Sequence, residues 1–206
     1  MLGHSFQTLR SNYSYMLGKD FPSDAFDAMG AAASIGEYDG TINQYAMESY
    51  FGRVNLSYKK RYTLTGTLRT DGSSKFAKSY RWGWFPSLSF GWIASNEEFM
   101  KNSGINLKIR ASYGKTGNQE GIGDYAYQAK MSGGYNYNSL GGIAVSDFGN
   151  NKLTWEKAGQ ADVGFDMSLF KDRLSIIFDA YYKKTTDLLY AKPIYTTTGV
   201  SSIIFL

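Results

Sequence analysis

The sequence predicts an all-β chain of antiparallel strands, and it favours a membrane-spanning barrel over a soluble sandwich. Three observations carry this. Apolar and polar residues alternate with a period of two over several stretches, most clearly Ala161–Leu169 and Leu174–Lys183. The composition suits pleated, half-buried surfaces: 17 Tyr, 13 Phe and 23 Gly among 206 residues, against 3 Pro. Finally, the connections between strands follow a rhythm: long, short, long, medium, long, short, long.

Leu2–Leu17 reads as the first strand, polar and aromatic-rich (FQTLRSNYSYML). Gly18–Asn43 holds Pro22, an Ala-rich middle and Asp39-Gly40, so it reads as a long loop. A helical turn fits near Ser23–Met29, capped by Ser23 or Asp24. Gln44–Tyr58 is the second strand. Gly52, Val54, Leu56 and Tyr58 share one face; Phe51, Arg53, Asn55 and Ser57 share the other. The third strand sets Tyr62, Leu64, Gly66 and Leu68 against Thr63, Thr65, Thr67 and Arg69. The apolar faces coincide only if Tyr58 opposes Tyr62, so Lys59–Arg61 is an odd, three-residue turn.

Asp71–Gly83 reads as a polar loop, and Phe85–Ser95 as the fourth strand. Asn96–Asn106 is a medium connection with one helical turn around Glu97–Lys101. The fifth strand sets Leu107, Ile109, Ala111 and Tyr113 against Lys108, Arg110, Ser112 and Gly114. Gly117–Trp155 is a very long Gly, Asn and Tyr-rich connection, and structureless loops above about 15 residues are usually functional or disordered. In the hairpin that follows, Leu169 must oppose Leu174 for the apolar faces to meet, which requires an even loop. A four-residue loop, Phe170–Arg173, is preferred to a Lys171-Asp172 turn, because two-residue hairpin turns want Asn or Gly at positive φ. Ile177 is the one apolar residue on the polar face.

Sandwiches also alternate, so alternation alone does not separate them from barrels. The loop rhythm does, since outer-membrane barrels have short periplasmic turns and long extracellular loops. Aromatic residues gather near strand ends, as interfacial girdles require (Tyr58, Tyr62, Trp84, Phe85, Tyr113, Tyr181, Tyr182). A soluble β-sandwich adhesion or carbohydrate-binding module stays the alternative. The two differ in membrane fractionation and detergent dependence.

Other classes fare poorly. Cysteine is absent, so there is no disulfide framework or thiolate chemistry. No run of about 18 apolar residues encodes a transmembrane helix, which is silent about barrels. The net charge of +4 is scattered, which suits solvated rims rather than a nucleic-acid footprint. Asp71-Gly72-Ser73-Ser74 lacks the spaced ligands of a calcium loop. Gly121-Ile122-Gly123 lacks a dinucleotide context. His4 is the only histidine, and the carboxylate pairs Glu97-Glu98 and Glu120/Asp124 have no defined spacing in space. No enzyme activity, cofactor or metal is expected.

Several stretches resemble the SusC/RagA family of TonB-dependent outer-membrane transporters. They are SYFGRVNLSYKKRYTLTGTLRTDGSSKF (49–76), WGWFPSLSFGWIASNEEFMK (82–101), LKIRASYGKTGNQEGIGDY (107–125), LTWEKAGQADVGFDMSLFKDRLS (153–175) and DAYYKKTTDLLY (179–190), in the family's order. The resemblance covers most of Ser49–Tyr190; residues 1–48 and Ala126–Asn151 match loosely. It implies a barrel closed around an N-terminal plug and nutrient import across the cell outer membrane. It also implies a SusD-like surface lipoprotein that hands over oligosaccharide or peptide, and energy from the TonB complex. MLGHSFQTLR lacks the marks of a signal peptide, and SIIFL reads as the start of a further strand. Residues 1–206 are therefore expected to be part of a barrel domain, without plug, TonB-contacting segment or final strands. Phe51, Arg53, Asn55, Thr63, Thr65, Thr67, Arg69, Lys108, Arg110, Asp162, Asp166 and Asp179 are expected to face lumen, plug or substrate. The plainer reading of their charges is that they pair with one another or with plug residues. Tyr125, Tyr127, Tyr135 and Tyr137 of the long connection either stack on sugar faces or pack the loop on itself.

Overall fold

The computed structural model describes residues 1–101 and 103–205. Seven strands form one antiparallel sheet, curved as a half-barrel. In spatial order they are β1 (Leu2–Lys19), β2 (Ser34–Tyr58), β3 (Tyr62–Ser73), β4 (Trp82–Ile93), β5 (Asn106–Asn118), β8 (Glu156–Leu169) and β9 (Leu174–Thr186). Between β5 and β8 the chain makes a small hairpin, β6 (Lys130–Gly133) and β7 (Ile143–Asp147). After β9 it forms a second, β10 (Tyr190–Pro193) with β11 (Ser202–Phe205).

The expected registers hold. Tyr58 pairs with Tyr62 across Lys59–Arg61, and Leu169 pairs with Leu174 across Phe170–Arg173. The four-residue loop does not escape positive φ, however: Phe170, Lys171 and Asp172 lie at 56°, 58° and 66°. Asp172 is held there by hydrogen bonds from Ser168 and Asn106, which offset the local cost.

Because register is continuous, side chains form rows that cross the whole sheet. One row is Leu56, Leu64, Phe90, Ala111, Val163 and Ala180; its neighbour is Tyr58, Tyr62, Trp92, Ile109, Phe165 and Phe178. On the opposite face run Asn55, Thr65, Ser89, Ser112, Asp162 and Tyr181. The apolar face is uncovered: Val54 is 60% exposed and Val163 59%. A sandwich would bury those residues under a second sheet. In a membrane the same face meets hydrocarbon, and across these rows the backbone is paired strand to strand along the ladders.

Strands are longer than the sequence suggested. Residues Ser34–Asn43, read as loop, belong to β2, which pairs with β1 from Gly52 back to Ser34 with one irregularity at Leu17/Gly18. β3 pairs with β2 only from Met47 onward, so the outer parts of β1 and β2 stand beyond the sheet as a two-stranded ribbon. The predicted turn near Ser23–Met29 is a 3₁₀ turn at Met29–Ala31, with Ser23 Oγ accepting from the Ala25 N–H at 3.4 Å. Asp71–Ser73, also read as loop, completes β3. Gly72 there faces Trp82, whose ring occupies the space a Cβ would take.

The buried core lies at the end of the long connections. Phe76, Phe85, Ile122, Ala126, Leu153 and Trp155 form it, with Met47, Leu189 and Ile204 against them. Trp155 packs 5.3 Å from Phe76 and edge-on to Phe85 at 5.5 Å, centroid to centroid, and donates its indole N–H to the Arg81 carbonyl.

Candidate functional site

Open grooves lie along the polar face of the sheet, and the expected charged residues line three of them. The first, about 270 Å³, lies over Thr63, Gly91, Lys108, Arg110, Asp162 and Asp179. The second, about 360 Å³, is lined by Arg53, Thr67, Gln160, Asp162 and Lys183 among others. The third, about 480 Å³ and nearest the long connections, includes Arg69, Asp71, Phe85, Gln119 and Trp155.

Arg110 is the centre of the first groove. Its guanidinium donates to both oxygens of Asp166, at 2.8 and 3.1 Å, and reaches Asp179 at 3.1 Å. Asp179 lies two strands away; Gly164 stands between them in the row. A Cβ at Gly164 would fall on the Asp179 carboxylate and close to the Phe178 carbonyl. A missing side chain on β8 is what lets β5 and β9 share a charge.

In the second groove, Asp162 accepts from Gln160 at 2.8 Å and from Ser112 at 3.2 Å. Arg53 shares its row with Thr67, Ser87, Gly114, Gln160 and Lys183, and has no ion-pair partner among the described residues. In the third, Arg69 Nε donates to both Asp71 oxygens at 2.8 Å, Nη2 donates to Ser49 at 3.0 Å, and the guanidinium lies over Phe51.

All seven charged residues expected on this face therefore share it, Lys108 standing in the Asp166 row. Arg69, Arg110, Asp166 and Asp179 pair among themselves or with Asp71; Asp162 is hydrogen-bonded, and Arg53 stands apart. The four tyrosines do not converge. Tyr135 and Tyr137 are exposed near the tip of the β6–β7 hairpin, at 55% and 83%; Tyr125 is exposed, and Tyr127 accepts from Gln128. The loop is packed by Ile122, Ala126 and Leu153 instead.

Two features escaped the sequence reading. Gln119 is buried in the third groove with its side-chain oxygen unpaired; one glutamine in a Gly/Asn-rich loop gives no pattern. At the opposite end of the sheet, Glu97 organises the short turns. It accepts from the Tyr62 hydroxyl at 2.6 Å, the Trp92 indole at 3.3 Å and Arg61 at 2.8 Å. The Tyr62 hydrogen bond foremost, with Trp92 and Arg61 adding to it, holds its carboxyl below the usual range. Glu98 reaches Lys101 and Arg61, and Asn96 donates to the Lys60 carbonyl. The Glu97-Glu98 pair is thus a structural clasp between the β2–β3 and β4–β5 connections.

A single curved sheet with a bare apolar face, a polar inner face and strands of about the length a bilayer needs defines a transmembrane β-barrel wall. The chain belongs to the TonB-dependent receptor β-barrel family: the family described as "TonB dependent receptor-like, beta-barrel" matches residues 2–203. Among curated relatives, TonB-dependent receptor P39 of Formosa agariphila is 41% identical over 210 residues, covering 98% of this chain and 20% of that protein. TonB-dependent receptor SusC of Bacteroides thetaiotaomicron is 36% identical over 168 residues, covering 76% of this chain and 16% of SusC. Among solved structures, the RagAB peptide transporter superposes with a TM-score of 0.89 at 29% identity, over 99% of this chain and 23% of that chain. The chain thus spans about a fifth of the length of the relatives it matches.

Proposed function

We propose that residues 1–206 act as part of the barrel wall of an outer-membrane, TonB-dependent importer of nutrients such as oligosaccharides or peptides. The observation that carries this is the division of one sheet into two faces. Hydrocarbon-compatible rows lie on one side, and on the other the self-paired charges of Arg110, Asp166 and Asp179 lie beside Arg53 and Asp162. Family membership supports the same reading, and a neighbour at 29% identity is titled a peptide transporter.

In this reading the polar face looks into the lumen. Arg110, Asp166 and Asp179 brace the wall, and Arg53, Arg69 and Asp162 meet plug or substrate. Tyr125, Tyr127, Tyr135 and Tyr137 lie on the extracellular side, where the exposed rings of Tyr125, Tyr135 and Tyr137 are available to substrate. A SusD-like surface lipoprotein delivers the substrate. The rest of the receptor supplies the plug and the contact with the TonB complex. No enzymatic step is assigned.

The test is uptake of labelled oligosaccharide and peptide pools by cells with and without the intact receptor. Uptake that depends on the receptor and is lost when the proton-motive force is collapsed supports the reading; uptake unchanged by deletion for every pool refutes it. Sidedness has its own check. The segment has no native cysteine. A Ser74→Cys receptor should react with a membrane-impermeant reagent on intact cells, and Lys60→Cys should not; the reverse pattern inverts the orientation.

A further inference from the structure

The apolar face departs from its pattern at one place. One row past Tyr113, Ala161 and Tyr182, the register sets Lys115 of β5, Gly159 of β8 and Lys184 of β9 side by side. The next row holds Gly117, Lys157 and Thr186. These lysines have the strand parity of Ala111, Val163 and Ala180, so they stand on the outer face. Lys115 and Lys184 are exposed and have no ion-pair partner among the described residues; Lys157 lies 3.0 Å from Asp187. With Gly159 and Ala161 contributing almost no side chain, a groove of about 310 Å³ opens between the lysines and the rings of Tyr113 and Tyr182.

Height places the groove. From Leu169 to Ala161 the strand rises about 27 Å at roughly 3.4 Å per residue. A tilt of roughly 40° reduces this to about 20 Å along the membrane normal, and the lysine row adds about 5 Å, which reaches the edge of a hydrocarbon band about 25 Å tall. The lysines therefore stand at the interface on the side of the long connections. Solitary lysines there can extend into water. Here two of them flank the notch, their strands about 10 Å apart with β8 between, and the Tyr113 hydroxyl lies 3.6 Å from where a Cβ of Gly159 would stand, so one tetrahedral anion beside that hydroxyl is within reach of both ammonium groups. Acyl chains attached to that anion would continue down over Ala161, Val163 and Tyr182.

We propose that this notch binds the phosphorylated glucosamine head of an outer-leaflet glycolipid. The proposal rests on the outer-membrane orientation given above. The lipid is favoured over free phosphate because the apolar face begins directly below the cation pair.

The test uses the intact receptor in detergent, delipidated and then incubated with purified lipid A, either monophosphorylated or enzymatically dephosphorylated, and read by native mass spectrometry. The wild type should retain the phosphorylated form selectively. Lys115→Gln/Lys184→Gln should retain at least about tenfold less, the scale of one charge-assisted hydrogen bond. Lys171→Gln, at the far end of the sheet, should behave as wild type. Heat-modifiable gel mobility checks that each variant is folded. If the glutamine pair fails to fold, Lys115→Arg/Lys184→Arg takes its place and should keep the selectivity. Equal retention by wild type and a folded glutamine variant overturns the proposal. So does equal retention of the dephosphorylated lipid, loss of selectivity in the arginine pair, or displacement by millimolar inorganic phosphate, which would make the notch a free-phosphate site. Substrate uptake separates the two readings: a wild-type receptor that imports substrate but shows no selective lipid retention sinks this inference and leaves import standing.

Discussion

Where the long connections meet, Phe76 and Leu153 are fully enclosed and Trp155 is 3% exposed. Where the short turns meet, one carboxylate, Glu97, accepts from Tyr62, Trp92 and Arg61. The first end is held by apolar area removed from water, the second by a few directional bonds at a boundary. Burial needs many residues from distant parts of the chain, and it tolerates loops of any composition. A clasp needs few residues, set close together, and its strength depends on charge.

This difference can be broken at either end. Trp155→Ala removes a buried ring and the indole bond to Arg81, and should cost about 3–5 kcal/mol. In the intact receptor it should release the segment 117–155 to proteolysis while the strands survive; unchanged protection would show that the core is not what holds that end.

Between the ends, the outer face should report depth. Phe165 shares its row with Tyr58, Tyr62 and Trp92, so it lies toward the turn end rather than at the middle of β8. Val163 lies deeper. Val163→Arg should approach the ~2–4 kcal/mol midplane cost, and Phe165→Arg should cost less. Folded receptor in the outer membrane measures both. Brominated acyl chains should quench a Phe165→Trp probe and not an Asp166→Trp probe; quenching at neither position in folded protein would rule out a lipid-facing strand.

Gly164→Ala should cost about 1–3 kcal/mol, because its methyl must displace the Asp179 carboxylate. Pairing it with Asp179→Ala should recover only the part of that loss owed to the carboxylate, since the Phe178 carbonyl still crowds the methyl; strictly additive losses would show that the carboxylate is not what Gly164 makes room for.

The smallest effect belongs to the clasp. Glu97→Gln should lower the thermal midpoint less than Trp155→Ala does. The acid response has a defined sign. Glu97 titrates below its ordinary value of 4.5 in the folded protein, so its contribution is present above that value and is lost as pH falls through the lowered one. Trp92 emission should change only in that acid range, and Glu97→Gln should abolish the transition.

Legibility followed the same division. The hairpins at Tyr58/Tyr62 and Leu169/Leu174 were readable because one face repels water and the other does not, which pins parity to a single residue. Strand alternation likewise put Arg53, Arg69, Arg110, Asp162, Asp166 and Asp179 on one face. It could not show that Gly164 lets Arg110 reach Asp179, because a row crosses strands far apart in sequence. Residues Ser34–Asn43 were missed for the complementary reason: the ribbon is exposed on both faces, so nothing imposes a period. Phe76, Ile122, Ala126, Leu153 and Trp155 form a core without any repeat. Lys115, Lys157 and Lys184 have outer parity, but at a strand end a lysine breaks the apolar period and is indistinguishable in sequence from the start of a loop.

The ribbon has a consequence for the cell's exterior. At roughly 3.4 Å per residue, Ser34–Ala46 rises on the order of 40 Å past the point where β3 begins to pair. In the orientation proposed above, with the long connections outward, the barrel rim would carry a mast on one flank. An antibody or phage tail fibre approaching from that flank meets residues such as Tyr13, Tyr38 and Ile42 before it meets any strand of the wall. Within residues 1–206 those residues pair only with each other's strands, so substitutions on their outward surface leave the register of β3 to β9 untouched.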